Sequence, residues 1–227
     1  MLDEFTPKNF FIFKCVREVM FNDLTREEIS ILRKLNSPAK IQDFLNELRI
    51  NFEENGETCM SPRRVLATGK AHCMEGAMLA AFALRFHGYP PLVVDLESTK
   101  DDFDHVVAVF KSNGKWGAIG KTNHAVLRYR EPVYRDIREL VMSFFHEYFI
   151  SETGKKTLRK HSEPVDLRMF DEKGWMITHD DVWYIPEYLA NVKHYDILNN
   201  GQARRLRRAD DIEIKAGNLL AEKEPIK

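Results

Sequence analysis

Between Gly69 and Gly88 the chain reads GKAHCMEGAMLAAFALRFHG, and this stretch limits the possible folds more than any other. From Cys73 to His87 strong helix formers alternate with small residues, and Gly88 supplies a stop, so a long helix opening on a glycine-bearing loop is expected. Gly76, Ala77, Ala80, Ala81 and Ala83 carry almost no side chain, while Met78, Phe82 and Leu84 fill gaps. A helix apolar on all sides must be buried, so the rest of the chain has to be built around it. Cys73 falls at its start, where unpaired backbone N–H groups and the positive end of the macrodipole favour a thiolate over a thiol.

A buried cysteine is ordinarily an inert filler, and that reading stands beside the nucleophilic one. The balance is changed by Asp104-His105-Val106-Val107-Ala108-Val109-Phe110, a strand that begins with histidine. A helix-terminal cysteine with a histidine elsewhere in the chain is the minimal pattern of a thiol nucleophile and its base. His72 precedes the helix and reads as a loop-exposed histidine, its use as the base being the lesser alternative. His146-Glu147 lacks a second histidine at helical spacing and reads as a helix end. Cys73, His105 and His124 have none of the short paired spacing of a zinc site, so neither metal nor cofactor is expected.

The chain before this helix is expected to be helical. Thr6-Pro7 starts a first helix carrying Phe10, Phe13, Cys15, Val16 and Val19; Thr25-Arg26-Glu27-Glu28 has capping-box spacing; Ser37-Pro38 and Ser61-Pro62 open two more helices, the latter closed by Gly69. After it the pattern turns to strands at 91–96 and 105–110, and Asn113-Gly114 predicts a hairpin that pairs 116–119 with the histidine strand. Asp136 to Phe149 reads as a helix with a broad apolar face. Beyond it, 166–170 and 175–178 are expected as short strands around Lys173-Gly174, and Asp180-Asp181 as the opening of an aromatic helix or turn. The run Arg204 to Arg208 is answered at once by Asp210, Asp211 and Glu213, so a solvated face is expected there.

The 227 residues carry 34 Lys and Arg against 35 Asp and Glu, which leaves no global field to attract nucleic acid or acidic lipid. Neither nucleic acid nor membrane is expected as a partner. Three cysteines, Cys15, Cys59 and Cys73, suit a reducing compartment better than a disulfide framework, and no signal or anchor segment is read, so the expected location is the cytoplasm.

Taken in order, Ser61-Pro62-Arg63-Arg64-Val65-Leu66, Gly69, Cys73 at a helix start, His105 at a strand start and the hairpin Gly114-Lys115-Trp116 resemble the transglutaminase-like superfamily of papain-like cysteine enzymes. The resemblance covers roughly residues 38 to 120. It implies an α+β fold with N-terminal helices and a cysteine-bearing helix packed on an antiparallel sheet. The expected organisation is a single domain over 1–227, with helical N-terminal residues 1–70, a catalytic-like core 61–150 and an extension 151–227. It also implies Cys73 as nucleophile, His105 as base, and hydrolysis or acyl transfer at an amide or ester carbonyl of a protein, peptide or small amide. The family's orienting aspartate falls in register with Gly120, a departure that leaves an inactive binding or structural module as the alternative. Asn123 is nominated for that role by analogy with Cys-His-Asn sites, against the alternative that it only shapes a loop. Trp116, His124 and Arg128 are the candidate substrate contacts. Arg128, Arg130 and Arg135 could grip an anionic group or pair with acids such as Glu131, Asp136 and Glu139.

Overall fold

A computed structural model describes residues 21–223; the expected first helix and Cys15 lie outside the described residues. Helix α1 (Arg26–Lys34) starts at Thr25 with both halves of the capping box formed, Glu28 N–H on Thr25 Oγ1 and Thr25 N–H on the Glu28 carboxylate. Helices α2 (Pro38–Glu47) and α3 (Pro62–Thr68) start at Ser37 and Ser61 with proline in the first turn. Gly69 closes α3 at φ 67°, where a side chain would be strained. A two-residue parallel pair, β1 (Arg49–Ile50) with β2 (Lys70–Ala71), then leads into α4 (Cys73–Phe86).

The main sheet is antiparallel at every pairing. Its strands are β3 (Leu92–Glu97), β4 (His105–Ser112), β5 (Lys115–Ile119), β6 (Arg130–Tyr134), β7 (Lys160–Ser162), β8 (Val165–Asp166) and β9 (His194–Asp196), in the order β6-β5-β4-β3-β7-β9 with β8 also on β3. Asn113 and Gly114, at φ 49° and 76°, make the turn that their sequence predicts, and Val109 faces Ala118 across the hairpin.

Alternation along the strands divides the core. Val93, Val106, Ala108, Phe110 and Ile119 face α4 and the earlier helices, whereas Val94, Leu96, Val107, Val109 and Ala118 face Leu140, Val141, Phe144 and Tyr148 on the other side. The small residues of α4 let it lie close to its neighbours. A Cβ on Gly76 would stand 2.4 Å from Lys121 Cβ, so nothing larger fits. The chain is thus α+β, with helices packed on both faces of an antiparallel sheet.

Several local expectations are corrected. Helix α5 (Ile137–Met142) is short and gives way to a 3-10 turn at Phe145–Glu147 instead of running to Phe149. Residues 130–134, to which no element is assigned from sequence, form edge strand β6, where Pro132 needs no ladder donor. The expected hairpin around Lys173-Gly174 is absent: after β8 the chain makes a 3-10 turn, Leu167–Lys173, capped by Gly174 at φ 62°, and 174–177 continue as turns. The aromatic helix does form, as α6 (Tyr184–Asn191), followed by α7 (Asn200–Ala203) and α8 (Asp211–Gly217). Among the described residues no helix is long and apolar enough to cross a membrane.

Candidate active site

The loop before α4 is built on one buried carboxylate. Glu75, fully buried in the first turn, accepts from Thr58 Oγ1 (2.8 Å), Met60 N (2.9 Å), His72 N (3.0 Å) and Asn51 Nδ2 (3.0 Å). Four donors satisfy a charge that would otherwise be costly in the interior, and together they pin the segment 51–60 to the start of the helix. His72 is the N-cap and not a loop-exposed residue. Its Nε2 lies 3.0 Å from Thr58 O, and Nδ1 receives a long 3.3 Å contact from Met74 N–H.

Cys73 is partly exposed at this helix start. Burial raises its thiol pKa, but the neighbouring imidazoles, His105 first and then His72, bring it down from 9.0 to about 5. For His72 burial works against the charged ring, and the neighbouring Cys73 sulfur, the Glu75 carboxylate and the Thr58 carbonyl outweigh it, raising the ring to about 9. The Met74 contact, which requires an unprotonated Nδ1, belongs to the neutral ring. Cys59 shows the opposite case: buried, and beside Glu75 and Asp181, its thiol is pushed up to about 12.

His105 begins β4 and is 6% exposed. The preceding loop is braced by Ser98 N–H on Asp104 Oδ1 (2.7 Å), by Thr157 Oγ1 on Asp102, and by Tyr148, whose hydroxyl donates to Phe103 O (2.5 Å). His105 Nε2 is buried without a hydrogen-bond partner. It lies 3.4 Å from the point where a Cβ on Gly120 would stand, so a side chain at position 120 would reach the ring, but glycine carries none. Gly120 itself is held by Gln42, whose amide donates to Gly120 O (2.9 Å) and accepts from Gly120 N–H (3.0 Å). Beside it Lys121 Nζ is buried on the carbonyls of Leu45 (2.9 Å) and Leu48, and burial lowers its pKa to about 8.

Cys73, His72 and His105 share a cavity of about 630 Å³ with Asn123, His124 and Tyr148. Phe103, 90% exposed, stands on its rim. Asn123 does not orient His105: its Nδ2 donates to Glu222 O (3.0 Å) and its Oδ1 accepts from Glu222 N–H (2.9 Å). His124 lines the cavity with Nδ1 2.9 Å from Gly217 O. Trp116 and Arg128 are not on the cavity wall. Trp116 packs against the opposite core beneath Lys111, and Arg128 is used on His124 O (2.9 Å) and Asn46 Oδ1 (3.0 Å). Arg130 pairs with Glu147 and Arg135 with Glu139, so neither guanidinium is aimed at a ligand through these contacts.

Glu75, Tyr148 and Phe103 join the site from outside the candidates that the sequence offers. A signal for Glu75 existed: histidine followed three residues later by glutamate has capping-box spacing, with His72 replacing the usual serine or threonine. No family model matches this chain, and no curated protein matches it in sequence.

Proposed function

We propose that the protein is a cysteine-nucleophile enzyme acting on an amide or ester carbonyl, with a core of the transglutaminase-like, papain-like type. The observation that carries the reading is a helix-terminal Cys73 at the wall of an open cavity that His72 and His105 also line, with its thiol lowered to about 5 by the two neighbouring imidazoles. A thiolate at neutral pH attacks the carbonyl carbon, and the C–S bond forms as the carbonyl electron pair moves to oxygen. Backbone N–H groups at the start of α4 stabilise that oxygen. Collapse of the tetrahedral adduct expels the amine or alcohol, which takes its proton from the His105 imidazolium and leaves a thioester on Cys73. Water then gives hydrolysis, and an amine gives transfer.

The test combines reactivity with acylation. Iodoacetamide should label Cys73 with a rate that rises through pH about 5 and is flat from pH 7 upward, whereas an unperturbed thiol titrates at 9.0. An activated ester such as p-nitrophenyl acetate should leave an acyl group on Cys73, seen as a mass increase of the intact protein and lost in Cys73→Ser. A folded protein that shows neither would refute the enzyme reading.

One observation favours a second reading, a module that keeps the fold without turnover. The buried His105 Nε2 has no partner, and Gly120 offers it none. A thiolate that alkylates readily but never accumulates or turns over an acyl group would select this alternative.

A further inference from the structure

The segment Leu219–Glu222 runs antiparallel to Asn123–Ala125 at the edge of the Cys73 cavity. Ala125 N–H donates to Leu219 O (2.9 Å), Ala221 N–H donates to Asn123 O (2.8 Å), and His124 bridges Leu220. The Asn123 side chain then grips the main chain of the next residue from both sides, through Glu222 N–H and Glu222 O. The Glu222 carboxylate receives Ile50 N–H (2.9 Å) and faces the positive charge of Lys121. Three of the gripping residues, Ile50, Asn123 and His124, also line the cavity that holds Cys73.

These contacts are of a particular kind. Apart from the carboxylate, every one is to main-chain atoms, which any extended peptide would present. The side chains add little, since Leu219 and Leu220 remain 65% and 47% exposed. A segment held by a short ladder and one amide clamp, with almost no apolar burial, belongs to the region of a structure that opens first. We propose that Asn123–Ala125, the Asn123 amide and Ile50 N–H form a docking site for an extended polypeptide substrate with an acidic residue at the clamp, and that Leu219–Glu222 occupies it as an internal competitor. Only the word substrate rests on the reading of Cys73 as a nucleophile; the docking itself does not.

The test is therefore a binding experiment on the full chain carrying Cys73→Ser, with the fluorescein-labelled peptide acetyl-Asn-Leu-Leu-Ala-Glu-Lys-amide as probe. Ala221→Pro removes the N–H that reaches Asn123 and should release the segment, tightening probe binding by about tenfold or more, because the tethered competitor has a high effective concentration. Adding Asn123→Ala should abolish the gain, and a probe with lysine in place of glutamate should bind more weakly. Equal affinity for the parent and Ala221→Pro chains, both folded by circular dichroism, would overturn the proposal, as would binding indifferent to Asn123→Ala. Should Ala221→Pro fail to fold, hydrogen exchange on the parent chain decides. Residues 219–222 should exchange far faster than β4, and faster still with excess probe; protection equal to that of β4 would make the segment a fixed element and end the proposal. Probe binding without acylation of Cys73 in the unmodified chain would retain the docking site and discard the enzyme reading.

Discussion

The two sides of the cavity are held in place by different means. Around Cys73 the chain is fixed by polar bonds converging on Glu75, which joins residues 51, 58, 60 and 72 to the first turn of α4. Around His105 the ring is fixed from outside, by a braced loop before it, by Gly120 clamped on Gln42 behind it and by its own burial, while its Nε2 bonds to nothing. Cys73 is over-determined and His105 is merely enclosed. A side that depends on a buried charge fails by unfolding; a side that depends on enclosure fails by losing orientation, with the fold intact.

The largest expected effect breaks the polar side. Glu75→Ala strands several buried donors at once and should destabilise the protein by about 3–5 kcal/mol, the range for breaking a buried charged network. Urea unfolding should show a lower midpoint; a change under about 1 kcal/mol would mean that the loop is held by its packing. On the other side, His105→Ala removes the imidazole that does most to lower the Cys73 thiol, so iodoacetamide labelling at pH 6 should fall by on the order of 10²-fold, with the fold retained. Labelling that barely changes would assign the activation to His72 alone.

The same thiol gives the pH dependence its sign. Because its folded pKa lies below the unfolded value of 9.0, its contribution to stability is complete above that value and is lost as the pH falls through about 5. Measured unfolding free energies should therefore decline toward pH 5 more steeply in the parent than in Cys73→Ser.

A smaller effect sharpens the comparison by giving His105 Nε2 the partner it lacks. Gly120→Asp crowds Leu127 O and Val107, each 3.3 Å from its Cβ, and should cost about 1–3 kcal/mol through overpacking. Its carboxylate beside Nε2 should also shift the Cys73 titration downward by roughly half a unit or more. An upward shift would show that the acid turns away from the ring. Smallest of all, Asn123→Ala removes the clamp on Glu222 and should cost about 1 kcal/mol while leaving the Cys73 labelling profile unchanged. A raised thiol pKa in that variant would restore Asn123 to the orienting role that the sequence suggested.

Local chemistry made much of this molecule readable in advance. The caps at Thr25, Ser37 and Ser61, the stop at Gly69, the small-residue face of α4 and the Asn113-Gly114 turn are interactions between residues close in sequence, and each formed where the residues require it. The placement of Cys73 at a helix start and His105 at a strand start follows from the same short-range rules. Tertiary structure decided the rest. Strands β6, β7 and β9 are short and acquire their conformation from pairing with distant neighbours, so their own periodicity is weak. Asn123 and Glu222 are 99 positions apart, and no local rule can say whether a loop amide reaches an imidazole or a passing main chain. The empty side of His105 is likewise a matter of register: the sequence shows glycine at 120, but only the packing of β4, β5 and α2 brings that glycine against the ring.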